Sequence, residues 1–473
     1  MKSKLVQRIA YACGTFGHDV FYAMLGSYFM FFVTSNLFNS TDAAGKEHDA
    51  YMIGVITTVI LILRVTEIFI DPFIGNMIDK TKTRWGKFKP WVLGGGVVGA
   101  VTLAILFTDF GGMALNNPMT YLIGFTLLYL IMDVFYSAKD VAIWSMIPAL
   151  SFDSREREIT ATYARIGSVF GQQLVTIAVM PIVLFFSINQ AGGAGDPRGW
   201  FAFAAIGGGI SVLGAVILAL GTKEQESELR ENKEETSFKD VFKVLAQNDQ
   251  LMWIALTYLI FGLGQNAVNN FNLYYFTYIL GDSAQISFLG VINVIIGLSA
   301  VALFPFLTSK FSRRGLFLVS IAVMVIGLVL YAFAGQSVFM TLFAAGLFSL
   351  PQPLIFLVVL MTITDTVEYG QLKLGHRDEA LVLCVRPLID KLSGALTSAL
   401  VGYTAVWVGM TTGATVDTIS ADGIFHFKLI MFAAPLALIV IAAVFYRAKV
   451  KLTEQEHERI VKELEEKWAE MKK

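Results

Sequence analysis

Three ionisable side chains interrupt the otherwise apolar run LRVTEIFIDP: Arg64, Glu67 and Asp71. Their spacing of i, i+3 and i+7 puts all three on one face of a helix. An ionisable group held away from water costs about 2.5–3.5 kcal/mol even on insertion scales, so each needs a partner or a wet cavity. Two carboxylates beside one guanidinium leave a surplus negative charge. A proton or a metal cation can neutralise it, which would tie cation occupancy to helix movement. The alternative is a static ion-pair brace against a neighbouring helix.

A second group lies in MDVFYSAKDVAIWSMIP, with Asp133, Asp140 and Trp144. Asp140 and Trp144 are i, i+4 neighbours, and an acid beside an indole suits a sugar. The carboxylate accepts hydroxyl hydrogen bonds while the apolar face of a pyranose stacks on the ring. A tryptophan of the interfacial belt is the alternative reading. Lys139 does not share the Asp140 face and suits an inter-helix ion pair. Asp19 in GTFGHDVFY and Arg165 in TYARIG would each be satisfied by lining a substrate path or by pairing with one another. His18 points about 100° around the helix from Asp19, which suits a local hydrogen bond better than carriage of a proton.

The stretch 363–392, ITDTVEYGQLKLGHRDEALVLCVRPLIDKL, reads as a polar connection followed by an apolar helix in which Arg386 and Asp390 pair at i, i+4. His376 and Glu379 meet if that stretch is helical, and an imidazole beside a carboxylate binds and releases a proton near neutral pH. Cys13 and Cys384 fall in apolar stretches and read as small buried hydrophobes. The sequence contains no GxxxxGK[ST] loop, HExxH, GxSxG or paired CxxC, so neither an enzyme nor an ATP-driven pump is expected.

The elements that must position these groups follow from composition. Of 473 residues, 55% are hydrophobic and 15% charged, against roughly a quarter charged in an ordinary soluble domain. That deficit excludes a soluble fold. A formal charge of −1 gives no reason to expect nucleic acid or another polyanion. A bilayer core about 30 Å thick takes about 20 apolar residues per helix, and such stretches recur throughout the chain. They predict helices at 9–34, 51–75, 91–109, 119–145, 162–187, 198–220, 250–279, 284–307, 315–334, 338–363, 381–408 and 423–446. The first stretch lacks a small-residue cleavage site and is expected to stay as a helix.

Of the 36 Lys and Arg, 28 fall on the side of the termini, two (Lys46 and Arg198) on the other, and six within helices. The positive-inside rule then puts both termini in the cytoplasm. The polar stretch 221–249 divides the helices six and six, giving bundles 1–220 and 250–446 and a charged, solvated tail 447–473. Basic turns at matching places, GNMIDKTKTRWGKFKPW and SKFSRRG, suggest the parallel repeat of a major-facilitator fold. The expected class is therefore an all-α membrane protein of twelve transmembrane helices in two six-helix bundles.

Five blocks in order, GTFGHDVFY, LRVTEIFIDPFIGNMIDKTKTRWGKFKPW, MDVFYSAKDVAIWSMIPALSFDSRERE, TYARIG and EYGQLKLGHRDEALVLCVRPLIDK, resemble the glycoside-pentoside-hexuronide:cation symporters. The likeness is strongest to their lactose and galactoside permease branch. The resemblance implies sugar recognition by Asp19, Asp140, Trp144 and Arg165, with Lys373 near the site, and cation coupling through Glu67 and Asp71, balanced by Arg64. Sodium-coupled relatives have a side-chain amide where this chain has Ile70, which offers sodium no ligand, although Ser137 retains a hydroxyl. That departure, together with His376 and Glu379 at positions tied to proton coupling in the galactoside branch, implies a proton as the coupling ion. No cofactor or resident metal is implied.

The expected partners are a small-molecule sugar, a coupling cation and the lipid bilayer of the cell membrane, with a homodimer as an option. Lactose-type relatives append a cytoplasmic regulatory domain, and this chain is expected to lack it because it stops at Lys473.

Overall fold

The computed structural model describes residues 4–40, 42–151, 154–188, 193–224, 243, 246–375 and 379–471, and every regular element among them is helical. Helix α1 runs Lys4–Ala23, passes through a π turn at Met24–Tyr28 and continues over Phe29–Asn36. It is followed by α2 (Ala43–Asp79), α3 (Lys89–Leu106), α4 (Pro118–Leu150), α5 (Ser154–Phe186) and α6 (Pro197–Gly221). The later helices are α7 (Asp249–Tyr278), α8 (Ile286–Lys310), α9 (Arg313–Ala332) and α10 (Val338–Ser349, resumed at Gln352–Leu374). Then come α11 (Glu379–Val408), α12 (Ala421–Lys428, a π turn, and Ala434–Lys449) and the final helix α13 (Glu454–Met471).

Among the described residues, ten helices are long and apolar enough to cross a membrane on length and composition. With α1 and α11, which carry charged residues in their apolar runs, they make the twelve spans of an all-α membrane protein. The helices overrun their apolar cores, because bilayer thickness limits the apolar stretch and not the helix. Asp196 shows how an end is set: its side chain accepts from the Arg198 and Gly199 amides at 3.0 and 3.1 Å, and Pro197 occupies the first helical position. Most of the polar stretch 221–249 lies outside the described residues.

The chain divides into two compact units. The first holds 1–235, 269–294 and 395–427; the second holds 236–268, 295–394 and 428–473. In the first unit α1 packs against α5 and α6. A Cβ on Gly167 would lie 2.1 Å from the Ala12 carbonyl oxygen, and one on Gly171 2.3 Å from that of Phe16. Only glycine allows this approach, the small-residue packing expected where lipid supplies no hydrophobic drive between helices. The later segments of this unit join by hydroxyl pairs. Tyr274 lies 2.7 Å from the Thr34 hydroxyl, and Tyr278 donates to Ser35 at 2.8 Å.

In the second unit Phe317 of α9 stacks on Tyr446 of α12 at 4.0 Å. Two sequence expectations change here. Asp365, Glu368 and Lys373 were expected in a polar connection, but α10 runs on through Leu374 and carries all three. The tail was expected to be a solvated helix. It is helical, yet Leu452 and Ile460 are buried and α13 packs on α10. Glu454 accepts from the Arg313 amide at 2.5 Å, the Arg313 guanidinium pairs with Asp365, and the His457 imidazole lies 3.6 Å from Glu368. A buried carboxylate such as Asp365 needs a cationic partner, and Arg313 provides it.

Candidate functional site

The site is built on one stripe of α4. Asp133, Ser137, Asp140 and Trp144 follow at i, i+4, i+7 and i+11, so they line one helical face. Ser137 donates to the Asp71 carboxylate of α2, and one turn further along Asp140 Oδ1 sits 3.0 Å from His18 Nε2 of α1. The α4 stripe therefore joins the candidate cation group to the candidate sugar group.

On α2, Glu67 is buried, and Arg64 turns towards α4 and α1. Its Nε donates to the Tyr129 hydroxyl at 3.0 Å, and its Nη2 to the Leu25 carbonyl at 3.4 Å. Leu25 lies in the π turn of α1, where the widened turn changes carbonyl pairing, a device common at functional positions. The Arg64, Glu67 and Asp71 face predicted from spacing thus engages two helices. Tyr129 and the Leu25 carbonyl went unrecognised in the sequence, the first because a tyrosine in an apolar run carries no signal, the second because it is backbone.

Asp19 and His18 are buried at 6% and 3% exposure, and their 100° offset sends them to different helices. Asp19 Oδ1 accepts from Gln172 Nε2 of α5 at 2.8 Å. Asp19 Oδ2 and His18 Nδ1 are buried without a hydrogen-bond partner among the described residues. A buried acceptor left in this state favours a ligand that brings donors, such as sugar hydroxyls. Gln172 follows Arg165 by seven residues on the same face of α5, and Arg165 is exposed. Trp144 is 39% exposed, leaving ring area for contact. Lys139, expected in an ion pair, donates to the Ser211 hydroxyl of α6 at 2.7 Å.

In the second unit Lys373 pairs with Asp249, the first residue of α7, and lies 5.6 Å from the centre of the Tyr369 ring. Tyr369 donates to the same carboxylate at 2.8 Å. Arg386 and Asp390 pair along α11 at 2.9 Å, as their spacing predicted. His376 lies outside the described residues; Glu379 begins α11, and its side chain lies outside them too.

Twelve membrane-crossing helices with carboxylates, an arginine and an imidazole turned toward one another rather than to lipid define a membrane transporter of the major-facilitator type. Residues 10–454 match the family model described as MFS/sugar transport protein, and the chain belongs to that family. It is 52% identical over 465 residues to a lactose permease of Lactobacillus delbrueckii subsp. bulgaricus, covering 98% of this chain and 73% of that protein. It is 50% identical over 462 residues to a raffinose carrier protein of Pediococcus pentosaceus, covering 98% and 72%. Among solved structures, a D-xylose-proton symporter superposes with a TM-score of 0.62 at 15% identity, covering 94% of this chain and 97% of that one. That likeness shows the shared fold.

Proposed function

We propose that this protein imports a galactoside of the lactose, melibiose or raffinose type across the cell membrane, by proton symport or sugar exchange through alternating access. The observation that carries the reading is the pairing of Asp140, held by His18, with the exposed Trp144, together with the Oδ2 of Asp19, the residue after His18 on α1, which has no hydrogen-bond partner among the described residues. Acceptors beside an indole face suit a pyranose. The printed names of the lactose permease and raffinose carrier relatives support a galactoside.

Both termini face the cytoplasm in this reading, and the six-and-six division at 221–249 forms the two moving halves. Glu67 and Asp71 take part in coupling with Arg64, while His376 and Glu379 discharge the proton. Arg165 completes the sugar's surroundings in the first unit. A sodium-coupled carrier of another glycoside or glucuronide is the second reading, favoured by the oxygen pair of Ser137 and Asp71. Uptake of labelled lactose and raffinose into vesicles, under imposed proton or sodium gradients, separates the two. Uptake driven by a sodium gradient at fixed pH and insensitive to a protonophore contradicts proton coupling. No uptake of either sugar contradicts the galactoside assignment.

A further inference from the structure

We propose that Gln172 of α5 is the positioning residue that aims Asp19, so that Asp19 Oδ2 accepts one particular sugar hydroxyl and the site tells apart galactosides that differ there. The inference rests on the galactoside reading above and deepens it, adding a residue that acts on the sugar only through Asp19.

The seam between α1 and α5 fixes where the two side chains meet. A Cβ on Gly167 would lie 2.1 Å from the Ala12 carbonyl oxygen, and one on Gly171 2.3 Å from that of Phe16. Thr15 Oγ1 lies 2.8 Å from the Ala164 carbonyl oxygen, a further tie across the same seam. Asp19 of α1 and Gln172 of α5 come next along it, where backbones in near contact leave little room to slide or turn. There Gln172 Nε2 donates to Asp19 Oδ1 at 2.8 Å. A carboxylate only accepts hydrogen bonds, so the amide must present its nitrogen.

One held oxygen sets the plane of the whole group. The terminal torsion of an aspartate is broad, and a well-formed hydrogen bond on Oδ1 restrains it. That places Oδ2, which is buried in a side chain only 6% exposed and has no hydrogen-bond partner among the described residues. An unpaired buried acceptor is unfavourable, and a sugar hydroxyl that donates to it removes the cost. Lys139 attracts Asp19 electrostatically, but its Nζ donates to Ser211, and an ammonium acting as a point charge orients no carboxylate plane. A fixed acceptor meets a hydroxyl in one place and rejects the analogue that lacks it. A freely turning one would follow the hydroxyls of a neighbouring carbon, and that discrimination would be lost.

The test is calorimetry of lactose, and of analogues each lacking one hydroxyl of the galactosyl ring, binding to the whole protein. The hydroxyl that Asp19 accepts is the one whose removal weakens wild type, roughly ten- to a hundredfold, but no longer matters in Asp19→Asn. Gln172→Leu removes the donor at similar volume; it is expected to cut that one penalty to less than about threefold and leave the others as in wild type. Gln172→Met repeats the measurement if the branched side chain does not fold. Added to Asp19→Asn, Gln172→Leu should cost less than about a further twofold, because the two residues act as a unit. An equal loss for every analogue, an unchanged penalty at the Asp19 hydroxyl, or additive losses in the double variant overturns the inference. If wild type binds no galactoside, the galactoside reading fails, and a sugar-free measurement still decides the role of Gln172. The infrared carboxylate stretch that Asp19→Asn removes should shift in Gln172→Leu; a stretch that stays in place also overturns the inference.

Discussion

The Ser137 hydroxyl donates to the Asp71 carboxylate, three residues before Asp140, which is held by His18. A helix is stiff over one turn, so a movement of α2 that draws on Ser137 is passed to Asp140 with little loss. Ser137→Ala removes a hydrogen bond to a charged acceptor, worth about 1.5–3 kcal/mol. Proton-driven accumulation should fall roughly tenfold or more, while lactose binding changes less than about threefold. Vesicle accumulation compared with calorimetric affinity checks this, and an equal fall in both would assign Ser137 to the sugar site.

Asp140→Asn and Trp144→Phe are expected to weaken galactoside binding while membrane insertion stays intact. The asparagine loses a charged acceptor, which corresponds to roughly ten- to a hundredfold in affinity. The phenylalanine keeps an aromatic face of smaller area, so its loss should be the smaller one. Wild-type affinity in both variants would remove α4 from the sugar site.

Glu379→Gln is expected to abolish uphill accumulation yet retain appreciable exchange. Exchange need not release the coupled proton, whereas net uptake must. Vesicles preloaded with unlabelled lactose, compared with empty vesicles under a proton-motive force, separate the two activities. An equal loss of both would leave coupling to Glu67 and Asp71.

Gly167→Ala places a methyl group where the Ala12 carbonyl oxygen lies 2.1 Å away. Backbone on both sides resists the shift, and overpacking of this kind costs about 1–3 kcal/mol. Thermal unfolding of the purified protein should begin several degrees lower; an unchanged midpoint would mean that α1 and α5 separate freely.

Asp365→Asn removes the carboxylate that pairs with Arg313 and lies 3.8 Å from His457. The docked turn of α13 should loosen, and trypsin should cut sooner at Lys451 and Arg459. Limited proteolysis followed by mass spectrometry reads this directly, and identical digestion would assign docking to Leu452 and Ile460 alone.

Helix number and type were legible in the sequence, since a lipid core rewards runs of about 20 apolar residues and leaves the backbone no alternative to internal hydrogen bonds. The candidate polar groups were legible for the same reason: Glu67, Asp71, Asp19 and Asp140 stand out because each is unfavourable in lipid. Periodicity also placed Asp140 with Trp144 and Arg386 with Asp390, because pairs within one helix depend only on its 3.6-residue turn.

Partners across helices depend on rotation and approach, which spacing does not specify. Packing alone brought Gln172 to Asp19, Ser137 to Asp71 and Arg64 to the π turn at Leu25. It likewise turned His18, read from its own helix as a local side chain, onto Asp140 of α4. The course of α10 through Asp365 and the docking of α13 were tertiary decisions too, because a charged stretch reads as solvated until the opposite charges that bury it are in place.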